Sequence, residues 1–279
     1  MTRAKRTFAF GALLAASSAV LVASANVHWD QTNARLLRLL DDGAPPDRFA
    51  SADDTIPLCV QRYFIFALGE KRRAIERVTL LQSGTMRGDS TSPWRSFRAV
   101  ETMSARMPGL LWDATVPLAP GLAIRVRDAY VGHAGISEGS ICAIVPLGAP
   151  KPGPAVNTAS LLRYFAESAW IPTALLPTSG VRWSPIDETC ARATLTHGVA
   201  TVSMDVTFGV DGGITQIAAS RERAVGSTSA LTAWICRYSD YTKIEGMMIP
   251  LSAEVSWAPV DGSFVSWRGH IDAASYTFD

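Results

Sequence analysis

Acids set among apolar residues are the first candidates for chemistry. A buried carboxyl must be hydrogen-bonded, paired, protonated or placed in a wet cavity. In the strand-like stretch "LAIRVRDAY", alternate residues share a face. Leu122, Ile124, Val126, Asp128 and Tyr130 therefore point one way, and Arg125 and Arg127 the other. The same count on "FRAVETM" sets Glu101 beside Phe97, Ala99 and Met103. Asp113 and Asp205 alternate away from their apolar neighbours and read as solvated. Two carboxyls in one cleft would have shifted pKa values and could serve as acid and base. The plainer account is a structural bond from Tyr130 or an arginine. Glu167 is the third candidate. In "LLRYFAESAWIPTALLP" the helical stripe is Leu161, Tyr164, Phe165, Ser168 and Ala169, and Glu167 falls beside it, one turn after Arg163. Spacing alone favours an Arg163–Glu167 surface pair. The functional alternative sends Glu167 into a cleft rimmed by Trp170.

Familiar catalytic signatures are missing or out of context. "GISEG" matches a nucleophile elbow around Ser137, but an elbow needs a following helix, and "ICAIVPL" reads as a strand. A tight turn is the expectation there. The four histidines are scattered; "HWD" and "HID" each offer two ligands on one strand face, and a metal site wants three or four. There is no glycine-rich phosphate loop and no H-E-x-x-H. No cofactor and no metal is expected. Cys59, Cys142, Cys190 and Cys236 lack zinc spacing. In an oxidising compartment they could form two disulfides. Cys59 and Cys142 sit in apolar runs as buried thiols would, and Cys190 could meet Cys236 across neighbouring strands.

The elements that must position these residues follow from periodicity. Arg3, Lys5 and Arg6 precede the apolar run Phe8 to Val22 and then Ala23-Ser24-Ala25, the order of a secretory signal peptide over residues 1–25. An uncleaved N-terminal anchor is the alternative, because the run falls just short of the roughly 20 residues a span needs. The chain would then be exported, periplasmic or extracellular, and membrane-proximal if the segment is retained. Residues 26–56 read as a linker with a short helix at 32–40. A second helix is expected from Pro57 to Leu68, with proline at its start and Gly69 at its end. Short strands separated by Gly and Pro follow, then the loop "GAPKPGPAVN", the helix that carries Glu167, and a second run of strands. The expected fold is α+β and mainly antiparallel β: a large curved meander sheet with a few helices on its concave face. One domain over 57–279 would comprise two helix-plus-meander halves, 57–150 and 154–279. The net charge is +1, and about −2 without residues 1–25. With no basic block, nothing points to nucleic acid.

The blocks "GTMR…W…F", "PGLLWDA", "RDAYVGHAG", "LLRYFAESAWIPTALLP", "VRWSPID" and "IEGMMIP" resemble, in this order, those of a bacterial exported or membrane-anchored family of unknown function. The resemblance covers roughly residues 57–279 and implies a single domain with no established activity. It picks out Trp94, Phe97, Glu101, Trp112, Asp113, Asp128, Tyr130, Glu167, Trp170, Pro172 and Trp183. Members often carry glutamine near Glu101. More loosely, the architecture is similar to the curved-sheet lipoprotein carriers of the bacterial envelope.

Export, eight tryptophans and the lack of a catalytic signature lead to a ligand-binding envelope protein as the main expectation. Its partner would be a lipid or small apolar ligand, touched by Glu101, Trp112, Asp128, Tyr130, Glu167, Trp170 and Trp183. The alternatives are an enzyme using Glu101, Asp128 and Glu167, or a structural envelope protein whose sheet interior is packed solid.

Overall fold

Alternation of apolar and polar residues becomes strand wherever glycine or proline punctuates it. The computed structural model describes residues 3–41, 56–69, 73–148, 150–225, 228–260 and 262–278. Helix α1 (Arg3–Asp41) comes first, then α2 (Leu58–Leu68). Pro57 precedes α2, and Gly69, at φ 60, ends it in a conformation that a side chain would resist. Six strands follow: β1 (Ile75–Met86), β2 (Arg95–Ser104), β3 (Gly109–Ala119), β4 (Leu122–Val131), β5 (Ala134–Ile141) and β6 (Val145–Pro146). Helix α3 (Pro154–Glu167) runs into three short 3-10 turns over Ser168–Trp170, Pro172–Leu175 and Pro177–Ser179. Seven more strands complete the chain: β7 (Val181–Pro185), β8 (Cys190–His197), β9 (Ala200–Phe208), β10 (Ile214–Val225), β11 (Thr228–Ile244), β12 (Met247–Ala258) and β13 (Phe264–Phe278).

All thirteen strands join one antiparallel sheet in the order β6-β5-β4-β3-β2-β1-β13-β12-β11-β10-β9-β8-β7. Two meanders thus meet where β1 pairs with β13. So many twisted strands curl, and the sheet forms a half-barrel of the α+β class. Its inner face carries the main core. Tyr63 and Phe64 of α2 and Tyr164 and Phe165 of α3 pack there with Leu80, Trp112, Met204 and Ile249. The outer face of the first meander is covered by α1, whose Leu40 packs with Leu111, Ala129 and Val131. Leu110 and Trp112 belong to the inner core and Leu111 to the outer one, so β3 alternates between two apolar layers.

Several local expectations change. The helix expected at 32–40 is the end of the much longer α1, and residues 42–55 lie outside the described residues. Asp113 points away from Trp112 but is not solvated, because α1 lies over it. It accepts from Trp29 Nε1 at 2.9 Å and from Arg125 at 2.8 Å. Alternation cannot register a helix laid on the far face. Asp205 pairs with Arg192 on the solvent side. Residues 135–139 lie within β5, so Ser137 occupies neither an elbow nor a tight turn. The turn comes later, at Cys142 and Ala143, both with positive φ, and Cys142 is only partly buried. Cys190 on β8 and Cys236 on β11 are separated by β9 and β10, so they are not on neighbouring strands; all four thiols are free. Among the described residues no helix is long and apolar enough to cross a membrane.

Candidate functional site

Register builds the site. Glu101, Trp112 and Asp128 stand directly opposite one another on β2, β3 and β4, in one cross-strand row on the inner face. Gln82 of β1 links two neighbours: its Nε2 donates to Glu101 at 2.6 Å, and its Oε1 accepts from Trp112 Nε1 at 2.8 Å. Helix α3 lies across this row and supplies a cation. Arg163 donates from Nε to Glu167 Oε1 at 2.8 Å, donates to Asp128, and sits 4.9 Å from the centre of the Trp112 ring. The i,i+4 pair suggested by spacing therefore exists, but both side chains are largely buried.

The second oxygens of Glu101 and Glu167 are buried without a conventional donor. Burial pushes the Glu101 carboxyl well above the usual carboxylate range, helped by the Glu167 charge and a hydrogen bond to Glu167. Arg163 and Gln82 pull the other way and do not prevail. A raised pKa at one of two adjoining carboxyls is the response expected when like charges share a dry site.

Above the row is a cavity of about 140 Å³. Five tryptophans line it: Trp112, Trp170, Trp234, Trp257 and Trp267. Asp128, Arg163, Glu167 and Arg221 supply its charged wall. Most of the rings are anchored. Trp170 Nε1 donates to Pro250 O at 2.9 Å, and Tyr238, also in the lining, donates to Ala166 O at 2.9 Å. Trp267 stacks on Phe97 and lies over Gly269, where an added Cβ would come within 2.0 Å of the indole. Gly269 pairs with Gly84 across β1 and β13; Gly269 makes room for the indole, and a Cβ at Gly84 would meet the Arg268 carbonyl and the Phe97 ring instead.

Of the seven ligand-site candidates, the structure brings together Glu101, Trp112, Asp128, Glu167 and Trp170. Tyr130 shares their sheet face but bonds His197 Nδ1 at 2.9 Å, and His197 stacks on His133 at 4.0 Å. Trp183 donates to Leu175 O at 3.0 Å and packs near Phe208 in the core, away from the cavity. Sequence reasoning missed Gln82, Arg221, Trp234, Trp257 and Trp267. The signal was available for four of them. In "ITQIAASRERAV" Ile217, Ala219 and Arg221 alternate on one face, as do Trp234, Cys236 and Tyr238, then Val255 and Trp257 on the next strand. The same count on "RVTLLQ" sets Gln82 with Val78 and Leu80. Trp267 depends on the bare backbone of Gly269, which alternation does not express.

Residues 54–276 match DUF6920, a family of unknown function. The chain belongs to DUF6920. A comparison with curated proteins gives no match for this DUF6920 chain. Among solved structures it is similar to a LolA superfamily protein from Nitrosomonas europaea, at 10% identity over 78% of this chain and 92% of that one, with a TM-score of 0.38. It is also similar to a DUF1329 family protein from Desulfovibrio piger ATCC 29098, at 12% identity over 72% and 86%, with a TM-score of 0.41. A beta-barrel-like DUF1849 protein from Brucella abortus aligns at 9% identity over 74% and 99%, with a TM-score of 0.23. Among the described residues of the DUF6920 chain no group of three or more His, Cys, Asp or Glu is placed to hold a metal ion. The arrangement can take an apolar group between aromatic rings and offer it charged contacts along one wall.

Proposed function

We propose that the chain is an exported bacterial envelope protein that binds an apolar or lipid-like ligand, in a single domain over 57–279. The observation that carries this reading is the cavity lining, to which five of the eight tryptophans contribute. Ligand sites are mostly apolar with a few placed polar groups. A volume of about 140 Å³ is close to that of apolar cavities that admit benzene, so it suits a ring or the end of an alkyl chain. The rest of a longer ligand would lie outside. Trp112, Asp128, Glu167 and Trp170 are the proposed contacts, with Glu101 behind them. Export is supported by the basic, apolar and Ala-Ser-Ala order of residues 1–25. Among the described side chains, those of α1 that bond to the sheet are Asn26, Trp29, Asp30 and Asn33, and removal of residues 1–25 would leave these in place. Incubation with envelope lipid extract, repurification and mass spectrometry is expected to recover a retained ligand. Empty protein after several different extracts would overturn the reading.

The convergence of Asp128 and Glu167 on the cavity also supports a carboxylate-dependent enzyme, because a general base must come within hydrogen-bond reach of its proton. A retained compound that the wild type alters and Glu167→Gln leaves intact would favour catalysis over carriage.

A further inference from the structure

Two of the cavity-lining side chains are guanidiniums, and only one of these is matched by acids. Arg163 meets Asp128 and Glu167. Arg221, on β10, lines the same space with no carboxylate at ion-pair distance among the described residues. Its Nε donates to Ala159 O at 3.0 Å, which leaves the two terminal amino groups for a bidentate acceptor. The guanidinium is stacked instead, 4.9 Å from the Trp234 ring and 5.6 Å from Trp257.

The pattern continues outward from the cavity. Arg223 lies 5.9 Å from Trp257 and 5.0 Å from Phe264, and Arg87 lies 5.8 Å from Phe264 on its own side. These two donate to backbone carbonyls, Arg223 to Gly88 at 3.5 Å and Arg87 to Val265 at 2.7 Å. The one acid of the adjoining β1–β2 loop, Asp89, is turned onto Thr91 and Ser92. Rings and carbonyls stabilise a guanidinium without neutralising it, so the positive potential of the row persists. Burial and the nearby Arg163 charge push the Arg221 pKa down, with Asp128 and Glu167 offsetting only part. A separate observation points to the same spot. Trp234 is 2% exposed, and its indole N–H has no acceptor, an omission that buried donors rarely show.

We propose that the ligand carries an anionic head, a carboxylate or a phosphate monoester, held by Arg221 at the wall of the tryptophan cavity. Arg223 and Arg87 lead it in. The proposal rests on the apolar-ligand reading above and names the polar end of that ligand. An ammonium head would meet only Asp128 and Glu167, which Arg163 already holds.

Titration of the full chain with octanoate, monooctyl phosphate, octanol and octyltrimethylammonium, read by tryptophan fluorescence and calorimetry, tests it. At least one anion is expected to bind about tenfold more tightly than octanol, the worth of a charge-assisted hydrogen bond, and the ammonium more weakly. The tighter of the two anions identifies the head. Arg221→Gln should lower anion affinity about tenfold and so erase the preference over octanol when both are measured on the same variant, while Arg221→Lys keeps part of it. If Arg221→Gln does not fold, Arg223→Gln serves, with a smaller loss confined to the anions. Octanol binding as well as both anions would overturn the anionic head and leave the apolar reading standing. No binding of any of the four would overturn both.

Discussion

Arg163 and Arg221 line one cavity and are stabilised in opposite ways. Arg163 comes from a helix and is enclosed by carboxylates, with Asp128 and Glu167 as bonded partners and Trp112 beneath it. Arg221 comes from a strand and is enclosed by indoles and a backbone carbonyl. A cation balanced by fixed acids is an internal strut, which joins α3 to β4 whether or not anything is bound. A cation held by ring faces keeps its charge and can spend it on a visitor. Burial does not separate the two; the chemistry of the neighbours does.

The comparison can be broken most sharply at Arg163. Arg163→Ala strands two acids in a largely dry site, and urea denaturation should show a loss of about 3 kcal/mol or more. Arg221→Gln should stay within about 1 kcal/mol of wild type, because only a neutral-acceptor bond and a stacking contact go. Equal losses in the two variants would erase the distinction between strut and ligand site. Next comes Glu167→Gln, which removes the acid bonded to Arg163 and should lower stability by about 1–3 kcal/mol at pH 8. Melts of this variant that superimpose on wild type at pH 5 and pH 8 would return Glu167 to a passive role.

Glu101→Gln should behave differently from its neighbour. With its pKa raised, Glu101 holds its proton to higher pH in the folded chain than in the unfolded one, which releases it above the ordinary value of 4.5. Wild-type stability should therefore decline as pH rises from there toward the raised folded value. Glutamine mimics the neutral acid, so the variant should match wild type near pH 4 and equal or exceed it at pH 8. A variant less stable at pH 8 would mean that Glu101 is ionised in the fold. The smallest effect is expected at His197. Burial, then the His133 charge, lowers its pKa from 6.5 to about 4. The unfolded chain takes up this proton first, so stability should fall as pH drops from about 6.5 to about 4. His197→Gln should flatten that slope modestly, since the ring is partly exposed. An unchanged slope would place the acid sensitivity elsewhere.

Much of the fold was legible because each strand reports its own burial. Alternation on β2 and β4 set Glu101 and Asp128 on the inner face, and the Pro57 and Gly69 boundaries of α2 came from backbone preference. What alternation reports is one strand at a time. It could not say that Asp113 lies under α1, since that contact joins residues 84 apart in the chain. Nor could it show that Glu167 meets Glu101, which depends on where α3 crosses the sheet. Tyr130 and Trp183 do not line the cavity, which alternation could not foresee. A face-sharing tyrosine and a nearby tryptophan look alike in sequence whether they line a cavity or fill a core.

The pairing of β1 with β13 sets the order in which the molecule can assemble. These strands open and close the sheet-forming sequence, yet they are neighbours in the middle of the sheet. A chain synthesised N-terminus first would expose the β1 edge until the fifteen residues of β13 had emerged. Unpaired edges of this kind recruit other chains, and contacts so distant in sequence form slowly. The half-barrel is therefore most vulnerable before its last strand arrives, and the cavity, with Met86 on one side of that seam and Trp267 on the other, does not exist until the seam closes.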